Sequence, residues 1–159
     1  MENNGRPVVL LVDDEEMVIT SVRAYLSLEA DYDLQGFTTP ESAIAFMQAN
    51  PFDVVVSDYL MPKINGIQLL RSAKESAPEA SRILLTGHSD KQSAIEAINE
   101  VALFQYIEKP WDNQQLLLAI QGGVERTRLL RDLRDKIAEL ASANESARDV
   151  QRRLIRAFL

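Results

Sequence analysis

Apolar positions along this chain fall into two rhythms that alternate. Short unbroken runs rich in Val, Ile and Leu stand at 7–12, 54–56 and 83–85, and between them apolar residues return every three or four positions. Unbroken β-branched runs suit strands buried on both faces, as in a parallel sheet, whereas the three-and-four spacing marks helices with one buried stripe. The first strand is predicted over 7–12 and the first helix from Glu16 to about Ala30, with Val18, Ile19, Val22, Tyr25, Leu26 and Leu28 at helical spacing. A weaker strand follows over 32–37. Thr39-Pro40 then reads as a cap with Pro at the first helical position, opening a helix that Asn50-Pro51 stops.

The third strand, Val54-Val55-Val56-Ser57-Asp58, leads through a Pro- and Gly-containing loop, 61–66, to a helix carrying Ile67, Leu69, Leu70 and Ala73. A fourth strand is predicted over 82–86 and a fifth over 105–108. The helix between them has Ala94, Ile95, Ala97 and Ile98 as its apolar face, and the last begins near Asp112 or Asn113. Strands alternating with helices five times in about 120 residues predict an α/β fold: a flavodoxin-like (βα)5 parallel sheet in the order 2-1-3-4-5, with right-handed crossovers. In that order the crevice opens between strands one and three, beyond their carboxyl ends.

Composition narrows the class. The 159 residues carry a net charge of −7 and no Cys, which excludes disulfides, thiolate metal sites and cysteine nucleophiles. Nine basic against six acidic residues after position 123 leave the body at −10, arguing against nucleic-acid binding there. No apolar run approaches the roughly 18 residues of a membrane span, and no signal-peptide pattern opens the chain, so a cytoplasmic location without membrane contact is expected.

Four strand ends carry reactive side chains: Asp13-Asp14 after the first, Asp58 at the third, Thr86 at the fourth and Lys109 after the fifth. Taken singly, each has an ordinary reading as a solvated charge or a loop cap. Together, three mutually repelling carboxylates suit Mg²⁺, while a hydroxyl and an ammonium suit an anion. The combination describes phosphoryl transfer to a carboxylate, with Asp58 as nucleophile.

Asp13-Asp14-Glu15, Ser57-Asp58-Tyr59-Leu60-Met61-Pro62 with Gly66, Leu85-Thr86-Gly87 and Tyr106-Ile107-Glu108-Lys109-Pro110 occur in order at these strand ends. Over about residues 6–123 the chain resembles the receiver domain of bacterial two-component response regulators. The resemblance implies that a histidine kinase or phosphotransfer protein phosphorylates Asp58. It also implies that Asp14, Asp58 and the Leu60 backbone carbonyl bind Mg²⁺ directly, with Asp13 holding a coordinated water. Thr86 and Lys109 would contact the phosphoryl oxygens, Tyr106 would be the switch aromatic, and the Lys109-Pro110 bond would be cis. Such a domain assists its own phosphorylation and dephosphorylation without an independent substrate, and signals through its α4-β5-α5 face. His88, the one histidine, is expected in an exposed loop with at most a modest kinetic role. Trp111 is expected to pack at the start of the last helix.

The receiver is expected over 1–123 and a helical extension over 124–159. Past Gly122-Gly123, a hinge or simply a tolerated pair, Leu130, Leu133, Ile137 and Leu140 alternate steps of three and four as in a coiled-coil seam. Asn144, Ala147, Gln151 and Leu154 continue the register. A second seam, offset at Ala143, suggests a register break there. A homodimer through 124–159 is expected, as is an output formed either by that coiled coil or by a longer regulator of which this is a fragment. The Lys109-Pro110-Trp111 run before a helical linker resembles receivers that precede cyclic-di-GMP phosphodiesterase or related outputs. Two other functions compete: a constitutive interaction domain that is never phosphorylated, and a haloacid-dehalogenase-like phosphatase, which wants an acid two residues after the nucleophile where this chain has Leu60.

Overall fold

The computed structural model describes residues 5–158, apart from the side chains of His88, Ser93, Ala97 and Phe158. Five strands, β1 (Val8–Val12), β2 (Asp33–Phe37), β3 (Val54–Asp58), β4 (Ser81–Thr86) and β5 (Gln105–Glu108), form one sheet in the order 2-1-3-4-5. Every pairing is parallel, with Leu10 opposite Val55 and Asp58 opposite Leu85. Helices α1 (Glu16–Glu29), α2 (Pro40–Ala49), α3 (Gly66–Ser76), α4 (Lys91–Glu100) and α5 (Asn113–Phe158) alternate with the strands. The expected flavodoxin-like fold with a long C-terminal helix is the one observed.

The three central strands are buried along their whole length, whereas the edge strands β2 and β5 are largely half-buried. Because side chains alternate across a strand, each apolar run divides between two cores. Val8, Leu10, Val12, Val55 and Leu84 face α2, α3 and α4 through residues such as Met47, Leu69, Leu70 and Ala94. Val9, Leu11, Val54, Val56, Ile83, Leu85 and Ile107 face α1 and α5 through Ile19, Val22, Leu26, Leu116, Leu117 and Ile120. An unbroken β-branched run is therefore required, since no side of these strands meets water.

Helix starts follow their local chemistry. Thr39 caps α2 by accepting from the Ser42 N–H, with Pro40 next in line. Asn65 and Gln68 close a capping box at α3, each side chain accepting from the other's backbone N–H at 2.9 Å.

Helix α5 runs uninterrupted through Gly122 and Gly123. A Cβ on Gly123 would lie 3.2 Å from both Ser81 Cβ and Val54 Cγ2, so this glycine lets the helix approach the amino ends of β3 and β4 closely. One turn later Thr127, fully buried, has Oγ1 2.8 Å from the Asp53 carbonyl and 2.9 Å from that of Gly123. Ser81 donates its N–H to Thr127 Oγ1 at 3.0 Å and its hydroxyl to the Gly123 carbonyl at 2.8 Å. The compact unit runs to Thr127, and a second unit begins at Arg128. That second unit is helical through Phe158 and exposed along most of its length. Leu133, Ile137 and Leu140 are 56%, 58% and 65% exposed, while Leu130 is half-buried. No helix among the described residues is long and apolar enough to cross a membrane.

We expect Thr127→Val, which keeps the shape and removes the hydroxyl, to lower the stability of the compact unit by about 1–2 kcal/mol, the usual cost of losing a buried hydrogen bond. Urea unfolding followed by circular dichroism measures this. An unchanged midpoint would mean that Ser81 and the carbonyls satisfy one another without it.

Candidate functional site

The carboxyl ends of β1 and β3 lie side by side, and each ends on acid. Asp13, the first residue after β1, is fully buried, with its N–H held by the Phe37 carbonyl at 3.1 Å. Its Oδ1 accepts from the Glu15 N–H at 2.9 Å, whereas its Oδ2 is buried without a partner. Asp58, the last residue of β3, is 5% exposed, and Asp14 is exposed. One carboxylate oxygen from each of the three lies within 4.8 Å of the others, an all-oxygen cluster of the kind that holds a hard divalent cation.

From the far side of the crevice Lys109 Nζ approaches Asp58 Oδ2 at 2.9 Å. The Lys109 N–H is anchored on the Thr86 carbonyl at 2.7 Å, and the Lys109-Pro110 bond is cis. Thr86 ends β4 one residue beyond Asp58's neighbour Leu85, and its Oγ1 is also buried without a hydrogen-bond partner. Two orphaned polar oxygens are costly in a buried setting and both border one crevice, which marks a site built for a ligand.

Burial, and crowded charge after it, tune this site. Burial, reinforced by Asp58 and Asp14 against the opposing Glu15 N–H and Lys109, pushes Asp13 up from 3.8 to about 6. Burial likewise raises Asp58, although its bond to Lys109 pulls the other way.

The remaining expected residues sit further out. Tyr106 pairs with Leu84 and is half-buried against the core layer of α3 and α4. Leu60 is two residues past Asp58, its side chain 62% exposed. Backbone at His88–Asp90 forms a short 3-10 turn, and the His88 side chain lies outside the described residues. Sequence reasoning missed two features. Lys109 Nζ stands 5.9 Å from the centroid of Trp111, so the indole flanks the site cation as well as packing beside α5. A Cβ on Gly66 would fall 2.3 Å from the Asp58 carbonyl oxygen, so only glycine lets α3 begin there.

An α/β sheet with an acidic, cation-competent crevice at its carboxyl edge is the class this geometry defines. Residues 9–121 match the family model described as response regulator receiver domain, and the chain belongs to that family. Among its relatives, the two-component response regulator PprB of Pseudomonas aeruginosa is 38% identical over 74% of this chain and 42% of its own length. The C4-dicarboxylate transport transcriptional regulatory protein DctD of Rhizobium meliloti is 31% identical over 87% of this chain and 30% of its own. The chain therefore spans less than half the length of these relatives. Among solved structures, the signal receiver domain of an HD domain-containing protein from Pseudomonas fluorescens superposes with a TM-score of 0.74 at 34% identity, covering 80% of this chain and 93% of that one. Receiver domains are signalling switches rather than classical enzymes.

The raised Asp13 carries a sign. A group whose folded pKa exceeds its unfolded value contributes stability below about 4 and loses it as pH rises through about 6. We expect Asp13→Asn, in chelator at pH 7, to stabilise the protein by about 1–3 kcal/mol, the gain vanishing below about pH 4. Thermal melts across that range test it. A destabilised variant at neutral pH would show that other groups already compensate the charge of Asp13.

Proposed function

We propose that this chain is the phosphoacceptor switch of a two-component relay, in which Asp58 takes a phosphoryl group from the phosphohistidine of a histidine kinase or phosphotransfer protein. The observation that carries the reading is Asp58 itself, buried at the end of β3, 2.9 Å from Lys109 and grouped with Asp13 and Asp14. A carboxylate oxygen of Asp58 attacks phosphorus. The new O–P bond forms as the N–P bond to the donor imidazole breaks, and the departing nitrogen keeps the electron pair. Asp14, Asp58 and the Leu60 carbonyl would hold Mg²⁺, with Asp13 reaching it through water. The ion, when bound, offsets charge on the carboxylates and phosphoryl oxygens.

Lys109 would move its ammonium from Asp58 to a phosphoryl oxygen, and Thr86 would spend its unpartnered hydroxyl on another. Tyr106, on the neighbouring strand, would turn inward as Thr86 moves, altering the face made by α4, β5 and α5. On this reading no independent substrate is turned over, the compartment is the cytoplasm, and neither nucleic acid nor membrane contacts this chain directly.

The division into a receiver and a helical extension, expected at 123, is part of the same proposal, with a second copy of the chain as partner of the extension. The exposure of Leu133, Ile137 and Leu140 supports it, because an isolated helix is marginal without packing and a narrow apolar strip at coiled-coil spacing fits the same strip on a second copy. Asn144, at an a-type position, would favour two parallel strands at some cost in stability.

Two measurements test these statements. Incubated with Mg²⁺ and a small phosphodonor, the parent should gain one phosphoryl group by intact mass and Asp58→Asn none; undiminished labelling of the variant would sink the assignment. By sedimentation, the parent should be a dimer, while Leu133→Asp with Leu140→Asp should be a monomer that still accepts phosphate. A parent that stays monomeric at high micromolar concentration would remove the coiled-coil reading.

A further inference from the structure

Arg82 is the second residue of β4 and is 2% exposed, an unusual place for a guanidinium. Each of its nitrogens is spent on a main-chain carbonyl: Nε on Val101 at 2.8 Å, one terminal nitrogen on Pro78 at 3.1 Å and the other on Ala102 at 3.3 Å. Val101 and Ala102 immediately follow α4, so the cation sits at the negative end of that helix's dipole and satisfies carbonyls the helix leaves open. Burial, and after it the neighbouring Arg126, lower the guanidinium's pKa.

Further ties converge on the same end of α4. The Phe104 N–H donates to the Arg82 carbonyl at 2.8 Å, the Leu103 N–H returns to Ile98 at 3.3 Å, and Ala102 takes the left-handed conformation that closes the turn. From α3, Arg71 pairs with Glu100. Along α4 itself exposure does not separate the two ends: Lys91, Gln92, Ile95, Glu96, Ile98, Asn99 and Glu100 are all exposed, and Ala94 is the buried one among its described side chains. What fastens the carboxyl end is this set of ties to β4 and α3.

From these ties we infer that Arg82 is the pin on which α4 turns: a positioning residue that holds the carboxyl end of the helix to β4, so that rearrangement at Thr86 is expressed over residues 87–95. The inference rests on Thr86 responding to phosphoryl binding. A helix free at both ends would shift as a whole and dissipate the displacement. Pinned at one end, it converts a small movement at the crevice into a change of tilt.

Amide hydrogen exchange on the whole chain tests this in the parent, Arg82→Lys and Arg82→Met, each without addition and with Mg²⁺ plus beryllofluoride, with occupancy followed by Trp111 emission. In the parent without addition, peptides over 99–104 should exchange more slowly than those over 88–95, and beryllofluoride should alter only the latter. In Arg82→Met, protection over 99–104 should fall by roughly tenfold or more, as expected for losing hydrogen bonds to a charged donor, and the beryllofluoride response should spread along α4. Arg82→Lys, keeping the cation but not the fork, should fall between. Parental protection over 99–104 in Arg82→Met, or an equal beryllofluoride response at both ends of α4 in the parent, would overturn the inference. Should Arg82→Met fail to fold, the two ends of α4 in the parent and in Arg82→Lys still decide it. If beryllofluoride moves neither Trp111 emission nor any peptide of the parent, the phosphoacceptor reading fails, and the comparison without addition still decides whether Arg82 pins the helix.

Discussion

Three carboxylates share one crevice because the strands that carry them have no freedom to part. Asp13 and Asp58 end β1 and β3, neighbours buried on both faces between two apolar layers, and Asp14 follows directly. Separating the charges would mean breaking the ladder or exposing the Val-rich runs beneath it, each worth far more than the repulsion. The acids are therefore held where burial, chiefly, and then their mutual repulsion raise the pKa of Asp13 and Asp58, against the opposing pull of Lys109. A site held in this condition favours whatever brings positive charge to it, and this receptivity is built by the core rather than by the acids alone.

β4 connects the chemical end of the sheet with the opposite one. At its carboxyl end Thr86 borders the crevice. At its amino end Ser81 shares Thr127 and Gly123 with α5, and Arg82 gathers the end of α4. Helix α5 and the turn that closes α4 are thus both tied to the amino end of this one strand.

Much of this was readable from the chain. The alternation of unbroken and three-and-four apolar spacing gives the fold and its strand order, and the acids, hydroxyl and ammonium at successive strand ends give the composition of the crevice, because both depend on local pattern and a known topology. Pattern does not reveal which distant side chains meet. Thr127 contacts residues 46 and 74 positions away, and nothing in its helical surroundings along the chain announces those partners. Gly122-Gly123 left a hinge and a merely tolerated pair both open, because glycine weakens isolated helices, whereas Gly123 is the residue that lets α5 lie against Val54 and Ser81. Arg82 passed as the polar start of a strand, since its partners are backbone carbonyls that no residue type announces.

Gly66 takes part in no chemistry, yet its missing side chain leaves the gap through which the amino end of α3 meets the Asp58 carbonyl, with its own N–H on the Tyr59 carbonyl at 2.8 Å. The main chain of Asp58 is in this way braced from behind by a helix start that tolerates no added carbon. The crevice accordingly depends on an absence of atoms as well as on its acids, and ranking its positions by functional groups alone would overlook this one.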